Sequence, residues 1–91
     1  MGNVLVIFKI MPESVEVNLG KIEGSVKEAI EGFGGVLSNI EKEPIAFGLV
    51  ALKVFCSLDE KNSNLDPLED QLRNLKGVAS VEVVDVRRAI G

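Results

Sequence analysis

The chain carries one thiol, Cys56, and no histidine to activate it. Imidazole is the usual acid–base group near neutral pH and the commonest transition-metal ligand, so both chemistries lack their ordinary carrier. Cys56 lies in an apolar run, where the simpler role is that of a small buried hydrophobe. The carboxylates Glu41/Glu43, Glu69/Asp70 and Glu82/Asp85 sit where solvated faces and a helix start are expected. No serine or cysteine stands beside a base in the way that nucleophilic catalysis requires. After the first apolar run, a metallochaperone would need a paired-cysteine loop, but Met11-Pro12-Glu13-Ser14 stands there. An acylphosphatase-like phosphate loop needs an early arginine, and none occurs before Arg73. The side chains point away from catalysis, metals and cofactors, and toward recognition.

For recognition the most informative stretch is Glu43-Pro44-Ile45-Ala46-Phe47-Gly48-Leu49-Val50-Ala51-Leu52. Proline fixes its own φ and donates no backbone hydrogen bond, so Glu43-Pro44 ends a strand. From Leu49 to Leu58 the chain is apolar and rich in β-branched residues, as a buried strand requires. Phe47 falls outside that run, beside a glycine, with Ile45, Ala46 and Gly48 around it. Either the ring stands out to meet a partner, or it folds back to plug one end of the sheet.

The rest of the chain must hold that corner in place. At 91 residues it is expected to form one domain, residues 1–91. Val4 to Met11 is the first strand, with Val4, Val6, Phe8 and Ile10 on its buried face. Lys9 interrupts the other parity. Leu19, Ile22, Val26, Ile30 and Phe33 form one stripe of a helix capped by Asn18 and ended by Gly32, Gly34 and Gly35. Val36 to Glu43 is a more polar edge strand, joined through the corner to a strand from Gly48 to Leu58. A second helix starts near Asn64 or Asp66, with Pro67 in its first turn, and closes at Lys76-Gly77. Val78 to Arg88 is the last strand. Its valines change parity between Val83 and Val84, which predicts a bulge or a strand apolar on both sides.

The order β-α-β-β-α-β is an α+β, ferredoxin-like plan: a four-stranded antiparallel sheet with two helices on one face. The first and third strands are then central neighbours. Lys9 and Lys53 share the open face with Leu5, Ile7, Met11, Leu49, Ala51 and Phe55. A face this apolar exceeds what a monomer needs, so contact with another chain, a second copy included, is expected.

A net charge of −4 argues against a nucleic-acid surface. Ala46-Phe47-Gly48-Leu49-Val50-Ala51-Leu52 loosely echoes an aromatic RNA-binding strand, but base stacking needs two or three exposed aromatics in basic surroundings. Of the four phenylalanines, Phe8 and Phe33 fall on buried stripes. No apolar run approaches the roughly 20 residues of a membrane span. Met1-Gly2 lacks the basic flank of a secretory signal, and Val6 breaks the myristoylation pattern. A single cysteine fits a reducing cytoplasm.

Three blocks together resemble one family. Lys9-Ile10-Met11-Pro12-Glu13-Ser14, the Glu43–Leu52 corner and Val81-Glu82-Val83-Val84-Asp85-Val86-Arg87-Arg88 are similar to the archaeal elongation factor 1-beta family. These are the guanine nucleotide exchange factors of the GTPase elongation factor 1-alpha. The similarity covers essentially the whole chain and is most specific in the central block. It implies a ferredoxin-like binding protein without enzymatic activity or cofactor. Such a protein promotes GDP release and GTP loading on elongation factor 1-alpha during protein synthesis in the cytoplasm. In the wider family the phenylalanine of the Ala-Phe-Gly corner inserts into the nucleotide-binding domain of the GTPase, and Phe47 takes that place. Eukaryotic relatives end with a penultimate lysine set to disturb the GTPase magnesium site; this chain ends Arg87-Arg88-Ala89-Ile90-Gly91. Arg87 or Arg88 is then the candidate for the missing charge, unless exchange relies on other contacts or the two arginines are a solvated strand end. Those relatives also carry an extra N-terminal domain, so the resemblance implies a stand-alone exchange domain here.

One rival belongs to a different class. A small-molecule regulatory module of the ACT type has the same strand order and places its ligand near the loop after the first strand. Met11-Pro12-Glu13-Ser14 suits such a ligand poorly.

Overall fold

A computed structural model describes residues 3–59, 61 and 64–88; Met1-Gly2 and Ala89-Ile90-Gly91 lie outside the described residues. The elements are β1 (Asn3–Pro12), α1 (Leu19–Gly32), β2 (Val36–Pro44), β3 (Val50–Asp59), α2 (Asp66–Arg73) and β4 (Val78–Arg88). All pairings are antiparallel and the sheet order is β2-β3-β1-β4. The fold is α+β and ferredoxin-like, as the pattern predicts.

Alternation in β1 and β3 sets the two faces. Val6, Phe8 and Ile10 of β1 and Leu52, Val54 and Cys56 of β3 are fully buried beneath the helices. α1 begins where the Asn18 side chain accepts a hydrogen bond from the Lys21 N–H at 3.3 Å. Ile22, Val26, Ala29 and Ile30 are its buried stripe. At its end the Gly35 N–H donates to the Ile30 carbonyl at 2.9 Å and the Gly34 N–H to that of Glu31 at 3.1 Å. Gly34 takes the left-handed conformation (φ 93°) that this closure needs. α2 carries Asp66 and Glu69 in its first turn and Arg73 in its last, charges that suit its dipole.

The structure corrects the sequence expectation in three places. Leu49 is not part of the third strand, because it closes the corner, its N–H donating to the Ala46 carbonyl at 3.2 Å. Ala51 lies in a central strand but is fully buried, being too short to reach the surface between longer neighbours. α2 ends at Arg73 rather than at Lys76-Gly77. Beyond it the Leu75 N–H turns back to the Leu72 carbonyl at 3.2 Å, and Leu75 still packs on the core. The expected bulge in β4 is present. Ile7 pairs with Asp85 and Phe8 with Val83, so Val84 is the extra residue.

Candidate functional site

Between Pro44 and Val50, the last pair of the β2–β3 ladder, the chain turns in five residues. The Ile45 N–H donates to the Leu49 carbonyl at 2.7 Å, which leaves Ala46, Phe47 and Gly48 as the tip. Phe47 and Gly48 are both left-handed, with φ of 62° and 78°. Glycine accepts that conformation freely. A bulky aromatic does not, and residues held so cost on the order of 1–3 kcal/mol. The ring gains nothing in return from its own chain, because Phe47 is 95% exposed. The alternative in which it plugs the sheet end is therefore excluded. Ala46 and Gly48 are exposed with it, and Ile45 is half-buried.

A neighbour that the sequence did not single out stands beside the tip. Val15, in the loop between β1 and α1, is 61% exposed. A methyl group built on Gly48 would lie 3.5 Å from its Cγ1. A hollow of about 40 Å³ lies at this junction, lined by Val15, Val17 and Leu19 together with Gly48 and Val50. The sequence signal was a lone valine among Glu13, Ser14 and Glu16. Only the fold shows that it reaches the corner.

Arg87 and Arg88 sit elsewhere. Arg88 pairs with Val4 at the start of β1, whereas the corner lies past the other end of that strand, where Ile10 pairs with Leu52. From Val4 to Ile10 alone is roughly 20 Å of strand, in a molecule 42 Å long. The six predicted site residues therefore form two groups at opposite ends of the sheet. Arg87 is already engaged, its Nε–H donating to Asp85 Oδ2 at 2.7 Å. Such an exposed pair is weak and can be exchanged for a partner's carboxylate or phosphate.

The remaining chemistry is spare. Cys56 is buried and its thiol faces the Val6 carbonyl at 3.6 Å. Burial raises its pKa from 9.0 to about 11, which keeps it an unreactive thiol at neutral pH. Among the described residues no polar or charged side chain is buried, and no cluster of three or more acidic or cysteine side chains is placed to hold a metal. A cavity of about 470 Å³ opens beside the start of α1 and is lined in part by Glu13, Asn18, Lys21, Ser25 and Lys76.

In fold, the chain is similar to the ACT domain from GTP pyrophosphokinase of Chlorobium tepidum, with a TM-score of 0.63 over 90% of this chain and 99% of that one. At 21% identity that likeness concerns the fold alone. In sequence, it is 43% identical to elongation factor 1-beta of Methanococcus aeolicus, over 94% of this chain and 97% of the relative. It is 41% identical to elongation factor 1-beta of Methanothermobacter thermautotrophicus, over 97% and 98%. With elongation factor 1-beta of Thermococcus gammatolerans it shares 43%, over 94% of each. Residues 5–89 match the family described as the EF-1 guanine nucleotide exchange domain. The chain belongs to that family, the elongation factor 1-beta guanine nucleotide exchange proteins.

Proposed function

We propose that this chain promotes GDP release from elongation factor 1-alpha, with Phe47 as the wedge. One observation carries the proposal: an apolar ring is held in water on a strained backbone, and its own chain covers almost none of it. A pocket on the GTPase supplies the compensation. If that pocket opens fully only when the elements around the nucleotide phosphates have moved, the ring binds the nucleotide-free form more tightly. By reciprocity it then weakens nucleotide binding by the same factor. No bond is made or broken in the factor. Arg87 and Arg88, at the far end of the sheet, bring positive charge to a second part of the GTPase. Val15, beside the tip, extends the apolar surface around the ring.

The experiment is release of a fluorescent GDP from purified elongation factor 1-alpha of the same organism. Truncating a central aromatic anchor costs about 2 kcal/mol or more, so Phe47→Ala should slow stimulated release roughly thirtyfold. The variant should fold as the parent does, because the ring is not part of the core. Release at the parent rate in the presence of Phe47→Ala would refute the assignment. The rival, a regulatory module for small molecules, draws support from the cavity beside the β1–α1 loop. A thermal shift with amino acids, in a chain that leaves GDP release unaltered, would favour it instead.

A further inference from the structure

Four charges line up across the open face of the sheet, one from each strand. Glu41 lies opposite Lys53, Lys53 opposite Lys9, and Lys9 opposite Glu82. The order across the sheet is acid, base, base, acid. Like charges directly opposed on neighbouring strands are unfavourable, and here the opposed lysines occupy the two central strands. Among the described residues neither lysine lies within ion-pair distance of a carboxylate. The Lys53 ammonium instead lies 5.7 Å from the centre of the Phe55 ring. Leu5, Ile7, Met11 and Phe55 surround the pair, each only partly buried. An apolar surface with two adjacent cations at its middle is complementary to an apolar segment bearing a carboxylate.

The same pattern argues against a second copy as the occupant. Two such faces related by a centred two-fold axis would set one lysine pair upon the other, with four ammonium groups at the heart of the interface. On the helical flank the apolar residues Ile22, Val26, Ile30, Leu68 and Leu72 are buried in the core, and Arg73 is already paired within α2, with Asp70 at 3.0 Å and Glu69 at 3.9 Å. A single partner that touches both Phe47 and the arginines must pass along one flank of the sheet.

We propose that the open face is a further docking surface for the same GTPase, and that it takes a segment in which apolar side chains flank a carboxylate. The carboxylate enters between Lys9 and Lys53, and the flanks cover Leu5, Ile7, Met11 and Phe55. This proposal rests on the exchange-factor function above.

Titration calorimetry of nucleotide-free elongation factor 1-alpha at two salt concentrations tests it, with the parent chain, Phe47→Ala and Lys9→Gln/Lys53→Gln. Removing charge-assisted hydrogen bonds from a covered site should raise the Kd of the double variant roughly tenfold or more. Its salt dependence should also be shallower than the parent's. Its Tm should be equal or higher, because the substitutions remove a repulsion, and this separates impaired docking from impaired folding. Parental affinity and salt dependence in the double variant would overturn the proposal. Loss of binding in Phe47→Ala alone would then leave the exchange function standing. No binding by the parent chain would sink both. Sedimentation of the chain alone as a dimer that the double variant alters would assign the face to a second copy and likewise overturn it.

Discussion

At Phe47 the side chain and the backbone make separate demands, and they can be separated experimentally. The ring touches little of its own protein, while φ of 62° burdens any residue with a β-carbon. Phe47→Gly should therefore leave the fold as stable as before or raise its stability by up to about 1 kcal/mol, since glycine meets no steric cost there. It should nevertheless slow stimulated GDP release by the same roughly thirtyfold factor as Phe47→Ala. Denaturant unfolding and the release assay, run on both variants, read the two effects independently. A large destabilisation in Phe47→Gly would mean that the ring supports the corner, and the strain would then have a structural rather than a functional origin.

The central strand β3 gives the clearest test among the elements. Cys56 is buried at its middle, and burial disfavours the thiolate, lifting its pKa from 9.0 to about 11. Below pH 9 the thiol is protonated in the folded and unfolded chains alike, so its contribution to stability is fully present. Between pH 9 and about 11 the unfolded chain ionises first and binds fewer protons, so stability falls as pH rises. The loss across that interval should be about 2 kcal/mol greater for the parent than for Cys56→Ala, whatever the constant cost of the cavity. Urea titrations at several pH values measure it, and parallel curves would show that the thiol ionises in the fold as it does in water. Much of this layer was legible in the sequence, because period-two alternation placed Val6, Phe8, Val54 and Cys56 inward and both lysines outward. The β4 bulge was legible for the same reason, as a change of parity at Val84. Leu49 was not, because its apolar character fits a strand equally well and only the corner's hydrogen bond removes it from one. Leu75 continues the helical stripe of α2 through a turn, so periodicity alone ran the helix past Arg73. Proline, glycine and parity told that Phe47 leaves the strand, but not which way its ring points. Val15 was out of reach, since its proximity to Gly48 joins segments far apart in sequence.

Across the whole molecule the sheet acts as a spacer. Phe47 lies beyond one end of β1 and Arg88 beside its other end, and the central strands β1 and β3 between them are paired on both sides. Two sites this far apart, with no shared neighbour, should contribute independently to binding. A cycle of Phe47→Ala, Arg87→Gln/Arg88→Gln and the combined variant, read as affinity for nucleotide-free elongation factor 1-alpha, tests this. The combined loss should equal the sum of the separate losses to within about 0.5 kcal/mol. Arg87→Gln also strips Asp85 of its 2.7 Å partner, but that disturbance stays on β4 and belongs equally to both legs of the cycle. Coupling well above that margin would mean that the two ends report on one shared element of the GTPase, such as a single switch that both must hold open. Additivity would mean that the factor grips two separate parts of its partner and holds them at a distance set by the length of its own sheet. In that case the nucleotide pocket is opened by a spacing built into the backbone, and lengthening or shortening the Pro44–Val50 corner by one residue would impair exchange even with the phenylalanine retained.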